Sequence, residues 1–401
     1  MTGPLQGIRV LDLSRLLPGG YCSLLLSDYG AEVLKVEDTG LGDYIRWAPP
    51  HYAGVEPSAA SAAFLALNRG KRSIRLDLKV KDAREVLLRL AREHDVLLES
   101  FRPGVLDRLG VGWARLREEN PRLVYCAITG YGQEGTDRGR PGHDLNYLAR
   151  GGLLGLSGAP GGPPVPAAGQ IADIGGGALM AAFAILAALH ERERSGEGQL
   201  VDVSMMRGAQ SWLAMVAARY FADGAVPRRG ELELAGGLAC YRPYACADGW
   251  VTLGALEPKF WRALCRGLGR DDLLERHMDP SVAGELETIF AARTRAEWAA
   301  FDDDHGCCLE PVLELDEALA RAPENVVEVD QPGAVGPVRL LGPPVALSST
   351  PPDGTRPGPP LGGDTDAVLA ALGYSPADVE RLKAAGAVAG AEGVTRGSFL
   401  A

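Results

Sequence analysis

Short apolar runs alternate with longer amphipathic stretches through the first half of the chain. The runs at 8–13 and 32–37 have the length and composition of buried strands, and residues 21–30 between them are predicted to form a helix that ends at Gly30. Pro18-Gly19-Gly20 is predicted to form the turn before that helix. Because strands that alternate with helices form parallel sheets with crossover helices, the pattern predicts an α/β domain. The alternation continues with strands at 73–79, 95–100 and 123–129 and a helix at 81–94.

The middle of the chain combines a loop signal with a strongly apolar helix. Residues 151–169 are rich in Gly, Pro and Ala and predict a long loop, a kind of segment that often carries function. A helix is predicted at 177–194, and only about a dozen apolar positions precede Glu191, which is too short for a bilayer span. We therefore expect a buried core helix, followed by a short strand at 199–205.

A change in composition at 224–240 predicts a second, smaller domain. Residues 241–256 alternate around an Asp248-Gly249 turn, which indicates a β-hairpin. Helices are expected at 258–269, 282–293 and 295–301, and a Pro/Gly-rich linker at 330–363 precedes two short helices. The predicted organisation is a large domain at 1–223, a small α+β domain at 224–329, and a linker with C-terminal segment at 330–401.

Charge and cysteine content narrow the classes of function. A net charge of −11 over 401 residues argues against a general binder of nucleic acid or of an anionic membrane surface. The seven cysteines include no CxxC pair, and no secretory signal is recognised, so we expect a reduced, cytoplasmic protein without a metal site. Any anionic ligand must then be held by a local basic patch.

Positive charge is concentrated at 68–84, a segment with seven Lys and Arg residues against two Asp. It is either a solvated strand-and-helix face or a site where Arg and Lys neutralise the phosphates of a ligand. Arg102 and Arg108 follow a predicted strand end, where open α/β sheets bind ligands. The turn after the first strand, RLLPGG, lacks the GxGxxG pattern, which argues against NAD.

Three further segments carry candidate chemistry, and each has a purely structural alternative. His143 and Asp144 in RPGHDLNY could belong to a polar surface turn. Asp173, before three glycines, could cap a helix or act as a base or nucleophile beside backbone N–H groups that stabilise an oxyanion. Those glycines lack side chains, so a bulky substrate could approach the backbone. Glu257 precedes Pro258 and could simply be a favourable acid in a first helical turn.

Taken together, these segments resemble the family III CoA-transferase (CaiB/BaiF-like) superfamily, and within it most closely the α-methylacyl-CoA racemase branch. The resemblance covers most of the chain and is carried by LQGIRVLDLSRLLPG, LNRGKRSIRLDLK, LLESFRPGVLDRLGVG, ENPRLVYCAITGYGQEG, PGHDLNYLARGG, ADIGGGALMAAFAILAALHERERSGEGQLVDVSM, ADGWVTLGALEPKFW and CLEPVLELDEAL. Gly-His-Asp, the Ala-Asp before the glycines, and Glu in GALEPKFW mark the racemase branch. Two departures are the long stretch 40–66 and Asp38, which stands where a basic CoA contact can occur.

The resemblance implies an α/β fold with a large Rossmann-like parallel-sheet domain and a smaller α+β domain, in an interlocked homodimer. The C-terminal segment would return to the large domain. It also implies that His143 and Asp173 are the acid/base pair and that Glu257 supports the histidine. Coenzyme A, as part of the substrate, would be contacted by Arg69, Lys71, Arg72, Arg75, Arg102, Arg108, Gly142, Asp144 and Tyr147.

The function implied is racemisation at C2 of a 2-methyl-branched acyl-CoA in lipid metabolism, with no metal or prosthetic group. Inversion needs proton removal from one face and delivery to the other, which explains two groups of opposite protonation. N–H groups at the start of the predicted helix at 177 would stabilise the enolate. Two alternatives stay open: CoA transfer between carboxylic acids through an Asp173 anhydride, and a catalytically silent CoA-ester-binding subunit.

Overall fold

The computed structural model describes residues 3–392, 394 and 397–398, which form two compact units. Unit 1 comprises the described residues of Met1–Gly151, Gly169–Trp212 and Pro323–Ala401, and unit 2 comprises Gly152–Ala168 and Leu213–Ala322. The boundaries differ from the predicted 224 and 330, and the Gly/Pro-rich segment belongs to unit 2. Contacts between residues distant in sequence place this segment in unit 2; for example, Arg229 Nε donates to the Gly155 carbonyl at 3.1 Å.

Twelve strands and seventeen α- or π-helical segments occur in the part of the chain that the structure describes. The strands are β1 Arg9–Asp12, β2 Glu32–Glu37, β3 Arg72–Leu76, β4 Val96–Glu99, β5 Val124–Thr129, β6 Leu200–Ser204, β7 Tyr241–Cys246, β8 Gly249–Gly254, β9 Leu309–Pro311, β10 Val326–Val329, β11 Val338–Leu341 and β12 Val388–Ala389. The α-helices are α1 Leu16–Asp28, α2 Ala62–Asn68, α3 Lys81–Arg92, α4 Val105–Arg108, α5 Trp113–Glu119, α6 Asp144–Gly151, α7 Leu153–Leu156, α8 Met180–Ser195, α9 Met205–Gln210, α10 Ala214–Asp223, α11 Pro258–Leu268, α12 Ala283–Phe290, α13 Arg295–His305, α14 Leu315–Arg321, α15 Thr365–Ala371 and α16 Pro376–Ala384, and a π-helix spans Ile171–Leu179.

Unit 1 is built on a seven-stranded sheet of order β12-β3-β2-β1-β4-β5-β6. Neighbouring strands from β3 to β6 are parallel, and only the short edge strand β12 runs antiparallel to β3. The predicted α/β fold with a mostly parallel sheet is confirmed. The chain order reverses between β1 and β4, so a crevice is expected outside the carboxyl ends of these strands.

Apolar periodicity explains how the helices cover this sheet. In α3, Ala83, Val86, Leu87 and Leu90 recur at helical spacing and are buried against the strands. Each of the Val and Leu side chains contributes about 1.5–3 kcal/mol by leaving water. A Leu87→Ala change would remove a fully buried side chain and cost about 2–5 kcal/mol.

The C-terminal segment completes unit 1. It supplies α15, α16 and β12, and it also contains β11, which pairs with β10. Asp364 accepts a hydrogen bond from the Ser73 N–H at 2.9 Å, which fixes the segment beside β3. The linker predicted at 330–363 is thus an integral layer of the domain.

Unit 2 contains the predicted hairpin, in which β7 and β8 pair antiparallel, but Ala247-Asp248 connects them, because Gly249 already pairs with Cys246. Strand β9 adds to β8, and α11, α12 and α13 supply an aromatic core. Trp261 and Trp298 are fully buried, and each indole N–H donates to a backbone carbonyl at 2.9 Å. The large rings therefore contribute apolar area without leaving a polar group unpaired.

Two helix starts differ from the sequence predictions. Helix α1 begins at Leu16, so Pro18 lies in its first turn, where a missing N–H costs no helical hydrogen bond. The helix predicted from 177 begins at Ile171 as a π-helix and continues into α8. The whole run Ile171–Ser195 is long and apolar enough, by length and composition alone, to cross a membrane, and half of its most apolar window is buried in the protein. The expectation that this helix is too short for a span was therefore wrong.

Candidate active site

One carboxylate joins helix α6 to the π-helix. Asp144, the first residue of α6, accepts hydrogen bonds through Oδ1 from the N–H groups of Ala172 at 2.6 Å and Asp173 at 2.9 Å. These bonds cross 28 and 29 residues of chain. Since His143 directly precedes Asp144, the fold brings the two predicted acid/base residues into one neighbourhood.

The loop that carries His143 is held by its own neighbours. The His143 N–H donates to Asn146 Oδ1 at 3.0 Å, and the imidazole is exposed. The Tyr147 hydroxyl donates to the Gly142 carbonyl, and a Cβ at Gly142 would lie 2.7 Å from the Tyr147 ring. Gly142 and Tyr147 were predicted CoA contacts, and in the structure they shape the turn that presents His143.

The glycines after Asp173 serve close packing inside unit 1. A Cβ at Gly176 would lie 2.5 Å from the Ala209 backbone nitrogen, and one at Gly175 would lie 2.4 Å from the Trp212 ring. Any larger residue would push α9 away from the π-helix. The expectation that these glycines leave room for substrate is therefore corrected, because protein atoms already fill that space.

Asp173 lies in an environment that favours a neutral carboxyl. Burial raises the pKa of Asp173 to about 7, and the negative charge of Asp144 acts in the same direction. No ion pair to Asp173 occurs among the described residues. A carboxyl with this pKa can both accept and donate a proton near neutral pH, which is what general acid–base catalysis requires.

The expected oxyanion donors at residue 177 are corrected as well. Asp144 occupies the N–H groups of Ala172 and Asp173, and the Ile174 N–H donates to the Gln170 carbonyl at 2.9 Å. At the start of α6, the N–H groups of Asp144 and Leu145 have no hydrogen-bond acceptor within the described ranges. A free first turn at the positive end of a helix can accept a developing negative charge.

Three cations of the basic segment are buried. Arg69 forms an ion pair with Asp28 at 2.6 Å, and Lys71 forms one with Asp12 at 3.3 Å. Arg75 donates to backbone carbonyls, including that of Gly390 at 2.8 Å. Their hydrogen-bonding capacity is used inside unit 1, which argues against the prediction that they contact CoA.

The remaining predicted CoA cations are exposed. Arg72 pairs with Asp364 at 3.0 Å beside the C-terminal segment. Arg102 lies near α6, since its charge lowers the pKa of Tyr147, while burial and Asp173 raise that pKa. Of this set, Arg102 and Arg108 have no ion pair in the described structure and can face a ligand.

A cavity of about 650 Å³ opens at the carboxyl ends of the parallel strands. Arg108 lines it, as do Lys79 and Arg15, and Arg15 pairs with Asp38 at 2.7 Å. Its other lining residues are Leu13, Val36, Glu37, Asp38, Thr39, Gly40, Leu76, Asp77, Leu78, Phe101, Val105 and Leu109. It lies beside the β1/β4 reversal, where α/β sheets hold nucleotides. Arg15 was missed from the sequence, although its position just after β1 was the available signal.

Glu257 belongs to unit 2. It occupies the N-cap position of α11 before Pro258, and its side chain makes no cap hydrogen bond. Its backbone carbonyl accepts from the N–H groups of Phe260 and Trp261 at 3.0 and 3.2 Å. The residue is exposed, and its carboxylate has no hydrogen-bond or ion-pair partner among the described residues. Its support of His143 stays a prediction.

The comparisons with known proteins concern the family and the fold of the whole chain. The family model described as CoA-transferase family III matches residues 5–365. The chain is 36% identical over 390 residues to an α-methylacyl-CoA racemase of Mus musculus, covering 94% of this chain and 96% of the racemase. It is also 36% identical over 373 residues to a succinyl-CoA:mesaconate CoA-transferase of Haloarcula hispanica, covering 87% of this chain and 91% of the transferase.

A solved structure extends the likeness to the fold. The crystal structure of a CaiB/BaiF family protein from Brucella suis matches with a TM-score of 0.81 and 30% identity, over 93% of this chain and all of that one. Sequence and fold thus agree over nearly the whole length. The chain belongs to CoA-transferase family III.

Proposed function

We propose that the protein is an acyl-CoA racemase that inverts C2 of a 2-methyl-branched acyl-CoA thioester. The observation that carries this proposal is the pair of hydrogen bonds from Ala172 and Asp173 to Asp144, which gather His143 and Asp173 into one site. A carboxyl with a pKa of about 7 suits reversible proton transfer better than a role as a permanently ionised nucleophile.

In the proposed reaction, one of the two groups removes the C2 proton and the C–H electron pair moves onto the thioester oxygen as an enolate. The other group, protonated at the start, then delivers its proton to the opposite face of C2. The electron pair returns to form the new C–H bond, and the two groups finish with exchanged protonation. Imidazole and a carboxyl with near-neutral pKa are both suited to this exchange.

The enolate oxygen needs hydrogen-bond donors as its charge develops. The N–H groups of Asp144 and Leu145 at the start of α6 have no acceptor among the described residues and follow His143 directly. In the proposal they replace the donors expected at residue 177. Donors of this kind are fixed before the reaction and lose no energy to reorganisation. The nucleotide part of CoA is proposed to occupy the cavity lined by Lys79 and Arg108.

Further parts of the proposal rest on the family resemblance. Glu257 keeps its proposed role in support of His143, and no metal or prosthetic group is proposed. An interlocked homodimer in the cytoplasm is proposed, supported by an exposed apolar stripe on the helical run Ile171–Ser195 of unit 1. Leu179, Phe183 and Leu186 follow one another there at helical spacing, and Phe183 is 71% exposed. Exposed apolar groups that lie side by side commonly mark protein interfaces.

CoA transfer is the second candidate, because a CoA-transferase is as similar to this chain as a racemase is. In that reaction the Asp173 carboxylate attacks the thioester carbonyl, the C–S bond breaks, and a mixed anhydride and CoA thiolate form. The thiolate then attacks the Asp173 carbonyl, which releases the acyl carboxylate and leaves an enzyme–CoA thioester.

The two candidates are separated by incubation with a 2-methylacyl-CoA in deuterated water. We expect deuterium at C2 of both epimers, detected by mass spectrometry, without any acceptor carboxylate. Hydroxylamine traps an enzyme–CoA thioester as a hydroxamate at Asp173. Trapping without deuterium exchange would replace the racemase proposal with transfer, and tight CoA binding with neither result would indicate a silent binding subunit.

A further inference from the structure

Asp144 is engaged with the protein backbone through one of its two carboxylate oxygens. Its Oδ1 already accepts two N–H groups, and the residue is half-buried at the start of α6. The family resemblance implied a CoA contact here. The geometry points to a different role, directed at Asp173.

The first role of Asp144 is mechanical. The N-cap residue of the π-helix, Gln170, provides no side-chain hydrogen bond, so Asp144 satisfies the first-turn N–H groups from outside the helix. One of these groups belongs to Asp173 itself. The backbone that carries the acid/base carboxyl is therefore fixed by the residue next to His143.

The second role is electrostatic. Burial is the largest cause of the raised pKa of Asp173, and the negative charge of Asp144 is the second. Helices α1, α6, α8 and α9 pack on the π-helix. Across these elements, the described titratable groups that interact with Asp173 are Asp144 and the Tyr147 phenol. Like charges close together favour the protonated form of one member.

We infer that Asp144 is a positioning residue for proton transfer: one of its oxygens fixes the backbone of Asp173, and its charge favours the protonated Asp173 carboxyl. The kinetic consequences rest on the proposed racemase function. The coupling between the two carboxyls does not, so it can be measured without substrate.

The test compares two substitutions in the full-length chain. Asp144→Asn keeps an oxygen acceptor for both N–H groups and removes the charge, whereas Asp144→Ala removes both. The titration of Asp173 is followed by carbon NMR of labelled aspartate, with its resonance assigned by its loss in Asp173→Asn. Asp137→Asn serves as a matched control, because Asp137 pairs with Arg150 and makes no hydrogen bond or ion pair to the π-helix among the described residues.

We expect Asp144→Asn to lower the Asp173 pKa by at least about 0.5 pH units, and Asp137→Asn to leave it unchanged. The limb of the kcat/KM profile that belongs to Asp173 moves to lower pH by the same amount. Asp144→Ala additionally lowers kcat by about tenfold or more at unchanged KM, because a displaced base loses reactive geometry.

An unchanged Asp173 titration in Asp144→Asn would overturn the inference. A raised KM for the acyl-CoA in the same variant would instead support the CoA contact that the family resemblance implied. If circular dichroism shows that Asp144→Asn is unfolded, Asp144→Ser supplies a second neutral oxygen acceptor for the same titration. Should the wild-type protein show no C2 exchange, the racemase proposal fails, while the titration still decides the role of Asp144.

Discussion

Asp12 and Asp173 are two carboxyls of unit 1 whose pKa values shift in opposite directions. Burial acts to raise the pKa of each. At Asp12, Lys35, Lys71 and two serine hydroxyls more than offset this, and the pKa ends below its ordinary value. At Asp173 the charged neighbour is another carboxylate, and the pKa rises to about 7.

The difference shows that charged neighbours outweigh depth in these two acids. Asp12 is fully buried and Asp173 is half-buried, so depth alone would place the higher pKa at Asp12. A buried carboxylate with matched cations stays ionised and holds its surroundings together. A half-buried carboxyl without a cation stays close to neutrality and remains available for proton transfer.

The largest expected effect is on the epimerisation rate, at the site that contains Asp173, whose carboxyl has no cation beside it. Replacing Asp173 with Asn or His143 with Ala should lower C2 epimerisation by about 10²–10⁴-fold, since each removes one acid/base group. CoA affinity should change little, and one-sided exchange from a single epimer is expected to survive. Deuterium exchange from each epimer measures this, and near wild-type epimerisation by His143→Ala would end the two-base mechanism.

Changes around Asp12, which has cations beside it, should instead lower the free energy of unfolding. Lys71→Met leaves Asp12 buried with one cation fewer and should cost about 3–5 kcal/mol of unfolding free energy. Lys79→Met is the matched control, since Lys79 is exposed beside the cavity and should change stability by less than about 0.5 kcal/mol. Urea denaturation of both variants gives the comparison, and equal losses would contradict it.

A third contrast separates paired from unpaired surface cations. Arg108→Ala should raise KM for the acyl-CoA by about 10- to 150-fold with kcat unchanged, because a charged hydrogen bond contributes about 1.5–3 kcal/mol. Arg72→Ala, which removes the partner of Asp364, should leave KM within about twofold. Steady-state kinetics at fixed ionic strength compares the KM values of the two variants. Equal KM values would contradict the proposal that CoA binds in the cavity.

The smallest expected effect is on the pH dependence of unfolding. Because the pKa of Asp173 is raised in the folded state, its contribution to stability is lost as pH rises from about 4 to about 7. Asp173→Asn should therefore gain on wild type by about 2 °C in Tm over that interval. Asp12→Asn should show the reverse sign, because the contribution of Asp12 is lost as pH falls below its ordinary range. Parallel Tm curves would contradict the comparison.

Local patterns were sufficient for the strands of the sheet. The run at 123–129 contains β5, and its apolar composition suits positions buried on both faces. The alternation at 241–256 predicted the hairpin, although the turn itself lies one residue earlier than Asp248-Gly249. His143 and Asp173 were identified by resemblance, and local pattern alone could not have paired residues that depend on a hydrogen bond across 29 positions.

Partners distant in sequence explain the failures. The cluster at 69–75 was expected to face phosphates, but Asp12, Asp28 and Asp364 neutralise it from other parts of the chain. The π-helical start at Ile171 depends on a capping carboxylate supplied by α6. Neither arrangement leaves a signal in the segment itself.

The C-terminal layer of unit 1 has a consequence for protein synthesis. The partners of Arg69, Arg72 and Arg75 include the Leu341 carbonyl, Asp364 and the Gly390 carbonyl, and β12 covers the edge of β3. A nascent chain therefore leaves the ribosome with part of these hydrogen bonds unmade and the β3 edge uncovered until β12 emerges. Because such long-range closure is slow and exposes aggregation-prone edges, translation rate and chaperone supply should govern how much protein folds.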